Sequence, residues 1–322
     1  MAWQKFIPKK GVCRVKILHS FDECIINKSS ALTVGKFDGL HMGHYILIDR
    51  IVQKKTEDFV AIAVTFDRPP DNTISGKLEK VLMSQGEKRA LMEHHGVDFL
   101  VELPFDEAFM RMKPEVFIQN LTEKLHMKYM IVGDDFTFGY KGQGNASFLE
   151  ELSGRLGFSL DVIPKIRSGN REISSTYIRE EIAQGNVAHA NELLGYSYFI
   201  IGDIVHGNQI GSSKIGRPTI NIVPPEDKLL PPNGVYVTEV VLLGRTFHGV
   251  TNVGLRPTVR EGHKRIGVET HILDFTGNVY DKQAKVIFKE FLRPEKQFET
   301  FDELKAQIEK DVHTTYIYFN QK

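Results

Sequence analysis

Cysteine is nearly absent: Cys13 and Cys24 are the only two in 322 residues. Two thiols make no disulfide framework, and their spacing matches no zinc motif. They read as free thiols in a reducing cytosol, so a cytoplasmic protein is expected. An excess of charge of either sign is lacking too. Lys+Arg and Asp+Glu each number 41, which removes any electrostatic case for nucleic acid or an anionic membrane as partner. No apolar run approaches the ~18 residues of a membrane span. The opening MAWQKFIPKKGVCRVKIL has no apolar core before its charges, so no signal peptide is expected. Internal repeats and low-complexity segments are missing as well. What remains is a chain with 41% apolar residues, able to bury ordinary cores, and long enough for about two domains.

The two halves are patterned differently. In the first, apolar runs at 31–37 (ALTVGKF), 59–66 (FVAIAVTF), 98–103, 129–133 and 160–163 read as strands. The run at 59–66 is continuous, as in a parallel sheet covered on both faces. Between them, 44–54, 84–95, 114–126 and 147–156 read as helices, the third with proline in its first turn. A further helix at 174–184 is ended by Gly185. This alternation predicts a doubly wound α/β sheet. After a short helix at 187–194, strand-like runs at 199–206, 234–243, 246–253, 267–274 and 285–292 follow with no helix between them. They predict a small antiparallel barrel or sandwich, closed by a helix at 301–312. The boundary is expected near Asn186, giving domains 1–186 and 187–322.

The segment VGKFDGLHMGH at 34–44 carries the clearest chemistry. Gly35, Gly39 and Gly43 permit tight turns, and His41 and His44 stand three apart where a helix opens. At that spacing they point the same way. Together with the free N–H groups of a helix start they make a phosphate site. His-x-x-His alone also fits a helix face, a core histidine or a metal pair. Its place behind a strand favours a ligand site, because open α/β sheets bind ligands at the carboxyl ends of their strands.

HMGH resembles the H-x-G-H signature of α/β nucleotidyltransferases, and GKFDGLHMGH resembles the bacterial bifunctional riboflavin kinase/FAD synthetases. The resemblance continues in order through LPFDEAF (103–109), VGDDFTFGYKGQGN (132–145), ISSTYIRE (173–180), GRPTIN (216–221), PNGVY (232–236), GVTNVGLRPT (249–258), VETHILDF (268–275) and FLRPEKQF (291–298). It implies that ATP and FMN react to give FAD and pyrophosphate with Mg²⁺, and that riboflavin is phosphorylated to FMN in the second half. It also implies that His41 and His44 hold the ATP phosphates, together with Gly35, Phe37 and Gly43. Ser174, Ser175, Thr176 and Arg179 match the second signature, also at ATP, with Arg179 catalytic. Alone, that string reads equally as an N-capped helix with a solvated arginine. Phe66, Asp135, Phe136 and Phe138 match the flavin side; alone they read as a loop acid beside core aromatics. One departure is FDRPP at 66–70, where the family reads F-D-P-H-P.

In the second half GRPTIN resembles the kinase signature G-F-P-T-A-N. The resemblance assigns Thr219 and Asn221 to Mg²⁺ and the ATP phosphates, and Glu269 to the general base for the ribityl hydroxyl. Without it, Glu269 reads as a solvent-facing strand position between Val268 and Thr270. Residues 211–219 half resemble a Walker loop, but Arg217 stands where that loop has lysine and no helix opens. The loop at 211–217 is one residue longer than the family pattern, lacks its arginine, and has Arg217 for its phenylalanine. A slow kinase half is therefore expected. Three other readings stay open: a monofunctional FMN adenylyltransferase, a flavin-binding regulatory protein without turnover, and another H-x-G-H transferase.

Overall fold

The computed structural model describes residues 15–67, 80–205, 219–257, 264–277, 279 and 282–321. Cys13, Arg68 and the loop at 211–217 lie outside them. Contacts divide the chain into two compact units that part between Ser175 and Thr176. Both short helices near the expected boundary at Asn186 thus go with the barrel.

The first unit is built on six strands: β1 (Lys16–Leu18), β2 (Ser29–Val34), β3 (Phe59–Phe66), β4 (Phe99–Leu103), β5 (Met127–Gly133) and β6 (Ser159–Ile163). All pair in parallel, in the order β1-β4-β3-β2-β5-β6. The helices are α1 (Met42–Gln53), α2 (Gln85–His94), the one-turn α3 (Glu107–Met110), α4 (Pro114–Lys124) and α5 (Ala146–Leu156). Ala31, Leu32, Ile62, Ala63 and Val64 are fully buried, as the continuous apolar runs require of strands covered on both faces. Leu32, Ile62, Phe117, Ile118, Leu121, Met130 and Leu149 belong to one core cluster. Ser84 and Glu87 form a capping box at α2, which satisfies two helix-start donors reciprocally.

From β2 the chain winds one way through β3 and β4, then returns to the other side of β2 with β5. The winding reverses between β2 and β5, so the crevice outside their carboxyl ends is the expected ligand site. The HMGH turn leaves β2 there, and the segment 134–145 leaves β5 beside it.

Several details depart from the sequence reading, among them the short barrel strand at Thr219–Ile222 and the one-turn helix at Glu107–Met110, which it did not contain. The strand expected at 31–37 stops at Val34 and does not reach Phe37, because Phe37 takes φ 48°, which no strand contains. The edge strand β1 and the hairpin β7 (Arg167–Ser168) with β8 (Arg171–Glu172) were too short to leave a periodic signal. The closing helix continues past 312 to Asn320.

The second unit begins with α6 (Ser175–Ala183), whose first residue belongs to the other unit, and α7 (Val187–Leu194). It continues with β9 (Phe199–Val205), β10 (Thr219–Ile222), β11 (Gly234–Leu242), β12 (Arg245–Pro257), β13 (Lys264–Ile272), β14 (Gln283–Arg293) and α8 (Phe301–Asn320). The strands close an antiparallel barrel in the order β10-β13-β12-β11-β14-β9, with β9 joining β10 to β14. Ile220, Ile222, Val253 and Val268 are buried. Among them runs a hydroxyl ladder, Thr238–Thr251–Thr270, with oxygens 2.7 and 2.8 Å apart; each buried hydroxyl is thereby satisfied. Arg293 grips buried Asp311 of α8 through Nε and Nη2.

Candidate active sites

In the first unit the chain leaves β2 through a strained turn. Phe37 (φ 48°), Gly39 (φ 82°) and Leu40 (φ 39°) all lie in the left-handed region. For Phe37 and Leu40 this costs about 1–3 kcal/mol each, and such strain persists only where surroundings over-determine it. The surroundings do so here. Gly35 N–H donates to Val64 O (3.0 Å). Lys36 O accepts from Lys88 Nζ (2.9 Å) and Thr65 Oγ1 (3.2 Å). The Asp38 carboxylate accepts from the N–H groups of Leu82 (3.2 Å) and Met83 (3.1 Å). Asp38 O accepts from Ser175 Oγ (2.8 Å).

The turn delivers His41 as the N-cap of α1, with no side chain capping the first turn. The first N–H groups of the helix thus face the site without a side-chain acceptor, a ready place for an anion. The rings of His41 and His44 stack 3.8 Å apart at 22°. Phe37, wholly buried, meets His44 edge-on at 5.3 Å. Its ring supports the histidine, and only its backbone is left for a ligand. A Cβ on Gly35 would stand 3.1 Å from the Phe37 ring, and one on Gly43 3.2 Å from the His41 ring. Both glycines therefore make room for the aromatic stack.

Nδ1 of His41 and Nδ1 of His44 are enclosed and have no hydrogen-bond partner, although His44 keeps part of its surface open. Burial pushes His41 down to about 4, against the attraction of Asp135. Burial, then His41, then Lys88 hold His44 well below the ordinary imidazole range. Both rings are accordingly neutral near pH 7. A stacked pair of imidazoliums is disfavoured twice, by desolvation and by like charge. Each neutral ring offers one N–H donor and one acceptor.

Asp135, at the carboxyl end of β5, is exposed and pairs with Lys165 Nζ at 3.2 Å. Lys165 also bonds Glu172 at 2.9 Å, and Glu172, then Asp135, raise its affinity for the proton. Phe136 and Phe138 stack at 5.4 Å. Rings continue through Phe117 and Phe109 to Phe66, with Phe105 beside it at 5.1 Å. Phe138 is a core residue; Phe66 and Phe136 are half-buried. The site thus gathers Gly35, Phe37, His41, Gly43, His44 and, through its bond to Asp38, Ser175. Ser174 lies one residue before Ser175 in the same unit, half-buried. Thr176, exposed, and Arg179, half-buried, lie on α6 in the second unit.

Sequence reasoning missed Lys88, Thr65 and Asp38 as parts of the site. Lys88 had one signal: it shares a helix face with Leu91 and Met92, where a charge is unexpected.

In the barrel, register does the assembling. Asn221 pairs with Glu269, and Thr219 with His271, across β10 and β13. Glu269 also pairs with Asn252 of β12. Opposed residues share a face, so Thr219, Asn221, Asn252, Glu269 and His271 stand on the face opposite the buried Ile220, Thr270 and Val268. Asn221 is nonetheless buried, and Asn252 Nδ2 donates to Glu295 Oε1 (3.2 Å). The alternation that suggested a solvent-facing Glu269 is present, and the same alternation puts it beside both PTIN residues. Among the described residues no cluster of His, Cys, Asp and Glu has metal-ligand geometry, and no helix is long and apolar enough to cross a membrane.

Comparison with known proteins follows the same division. Residues 24–177 match the FAD synthetase family and residues 194–319 the riboflavin kinase family; Asn186 falls in the interval between them. A bifunctional riboflavin kinase/FMN adenylyltransferase of Haemophilus influenzae is 38% identical over 95% of this chain and 99% of its own. Its namesake in Escherichia coli K12 is 34% identical over 89% and 92%. A solved structure described as a macrolide-efflux protein from Streptococcus pneumoniae aligns with TM-score 0.83 at 26% identity, over 94% of this chain and 99% of that one. Efflux is a description of that protein and is not carried over.

Proposed function

Because this chain belongs to the bifunctional riboflavin kinase/FMN adenylyltransferase family and carries both of its domains, we propose how its residues divide the two reactions on riboflavin, FMN and ATP. In the first, the FMN phosphate attacks the α-phosphorus of ATP in line and pyrophosphate leaves. His41, His44 and the uncapped start of α1 receive the phosphates and stabilise charge developing on the leaving group. No covalent intermediate is needed, so catalysis is positioning plus electrostatics. The observation that carries this reading is the stacked, neutral histidine pair at the sheet's switch point. Ser174, Ser175, Thr176 and Arg179 are assigned to ATP from their motif. Phe66 and Phe136 offer half-buried faces to the flavin, and Phe138 backs Phe136 from the core.

In the second reaction Glu269 takes the proton of the ribityl 5′-hydroxyl, whose oxygen attacks the γ-phosphorus as the bond from that phosphorus to the β,γ-bridging oxygen breaks and ADP leaves. Thr219, Asn221 and Glu269 present only oxygen donors of the hard kind that suits Mg²⁺, and Thr219 and Asn221 would hold it. When bound, the ion neutralises charge on the transferred phosphoryl group. The domains are assigned to 1–186 and 187–322, and the setting to the cytoplasm, in keeping with the free thiol of Cys24 and the balanced charge. The test is direct: purified chain with MgATP and FMN, or MgATP and riboflavin, with flavins separated by chromatography. FAD and pyrophosphate are expected from FMN. Folded protein that makes no FAD, with FMN oxidised or reduced, overturns the reading.

A further inference from the structure

A buried lysine, Lys88, lies beneath the HMGH turn, and nothing above gives it a task in the reaction. Lys88 points from the inner face of α2 and is almost wholly enclosed. Its ammonium donates to Lys36 O at 2.9 Å and stands 3.4 Å from Thr65 Oγ1, which itself donates to Lys36 O at 3.2 Å. A long cationic side chain is rarely enclosed without a carboxylate bonded to it. Here the ammonium bonds to uncharged oxygens, on the strand side of the strained turn that carries both histidines.

The charges around it are specific. Asp38 and Glu102 favour the ammonium, Arg89 opposes it, and burial opposes it most, bringing Lys88 to about 8. Glu102 is engaged by the Arg89 guanidinium through both carboxylate oxygens (2.9 and 2.5 Å), and His19 lies 3.9 Å from it. Asp38 is engaged by the N–H groups of Leu82 and Met83. Neither carboxylate hydrogen-bonds Lys88. On the other side Lys88 opposes protonation of His44. One group thus touches the turn by a hydrogen bond and the histidine pair by its field.

We propose that Lys88 is a positioning residue for adenylyl transfer: its ammonium, bonded to the Lys36 carbonyl, fixes the strained turn that carries His41 and His44. A neutral amine would hold the carbonyl more weakly, since a charge-assisted hydrogen bond is roughly twice as strong as a neutral one. The inference rests on the adenylyl-transfer reading, and its test separates the two.

The experiment compares the pH dependence of kcat/KM for ATP in FAD formation for the unaltered chain and Lys88→Met, because kcat/KM reports groups of the free enzyme. The unaltered enzyme should lose rate as pH rises through about 8, where Lys88 gives up its proton. Lys88→Met should run at least about tenfold lower at neutral pH, as misplaced catalytic groups do, and should lack that alkaline fall. Riboflavin phosphorylation in the same preparation should be unchanged, which shows the barrel intact, and a near-UV circular dichroism spectrum matching the unaltered chain shows that the α/β unit is folded. A variant with unchanged rate, or with the same alkaline fall, overturns the proposal. Should Lys88→Met lose both activities, histidine-labelled unaltered protein decides by NMR. The His44 resonances, identified against His44→Ala, must show a step near pH 8, and their absence overturns the proposal. If the unaltered chain makes no FAD, the reading of the reaction fails, while the NMR step still reports on Lys88.

Discussion

The two sites are assembled by opposite means. In the barrel, Thr219, Asn221 and Glu269 meet because antiparallel register puts alternate residues of adjacent strands on one face, and strand pairing fixes that register without strain. In the α/β unit, His41 and His44 meet because a turn with two non-glycine residues at positive φ is pinned from four directions. A site made by register tolerates change around it and fails when its own side chains change. A site made by a pinned turn is vulnerable at its supports as well.

The comparison breaks most sharply through Glu269→Gln. If Glu269 is the base, riboflavin phosphorylation falls by about 10²–10⁴-fold, the usual contribution of a positioned general base. FAD formation from FMN on the same preparation stays intact. An unchanged kinase rate would return Glu269 to an ordinary outward strand position. Next comes His44→Ala, expected to lower kcat of adenylylation by roughly 10²-fold or more, with a smaller effect on FMN affinity. A donor aimed at developing charge acts mainly in the transition state. His41→Ala should behave alike, and near-full kcat in either variant would make the pair structural.

The same contrast explains what could be read beforehand. The doubly wound sheet and the barrel follow from periodicity: continuous runs such as FVAIAVTF, then alternation; Glu269 as a base came from the resemblance alone, since alternation by itself reads it as solvent-facing. His41 and His44 were legible because glycines at 35, 39 and 43 flagged a turn behind a strand. Lys88, Thr65 and Asp38 were not, because they act through backbone carbonyls and N–H groups of segments far along the chain, and a backbone partner leaves no mark on residue identity. The structure adds a capping box, Ser84–Glu87, to the helix expected at 84–95; only the position of Lys88 on its apolar face hinted at more. Phe37 shows the limit of local reading. Its apolar neighbours extend a strand on paper, while the structure spends it on a left-handed turn beneath His44.

A smaller effect sharpens the comparison from the barrel side. The register that places Thr219, Asn221 and Glu269 does not depend on the loop at 211–217, whose length and charge differ from the family pattern. Loops that close over a nucleotide fix phosphates, and misplacement by ~1 Å costs up to about 10²-fold. Riboflavin phosphorylation is therefore expected to be slower than FMN adenylylation in the same preparation. Steady-state rates of both half-reactions check it, and a kinase rate equal to or above the adenylylation rate, abolished by Glu269→Gln, would show the loop changes to be neutral.

The smallest effect is on stability, and it belongs to the α/β site alone. His41 is buried neutral, with its affinity for the proton lowered to about 4 by desolvation against the pull of Asp135; in the unfolded chain an imidazole titrates near 6.5. A group depressed in the folded state contributes stability that is fully present above the unfolded pKa. That stability is lost as pH falls through the interval between 6.5 and about 4, because the unfolded chain then binds the proton first. At about pH 5 the loss assigned to His41 is on the order of 2 kcal/mol. His44 and His95 are shifted in the same direction, so part of the acid sensitivity survives any single change. His41→Gln removes one share and also removes an enclosed ring nitrogen with no partner, so neutral-pH stability need not fall. The measurement is the difference in denaturant midpoint between neutral pH and about pH 5, without nucleotide, in both proteins. The drop should be smaller in His41→Gln than in the unaltered chain. An equal drop would mean that His41 is accessible to protons in the folded state, and that the neutral pair at the mouth of the sheet is not held by burial.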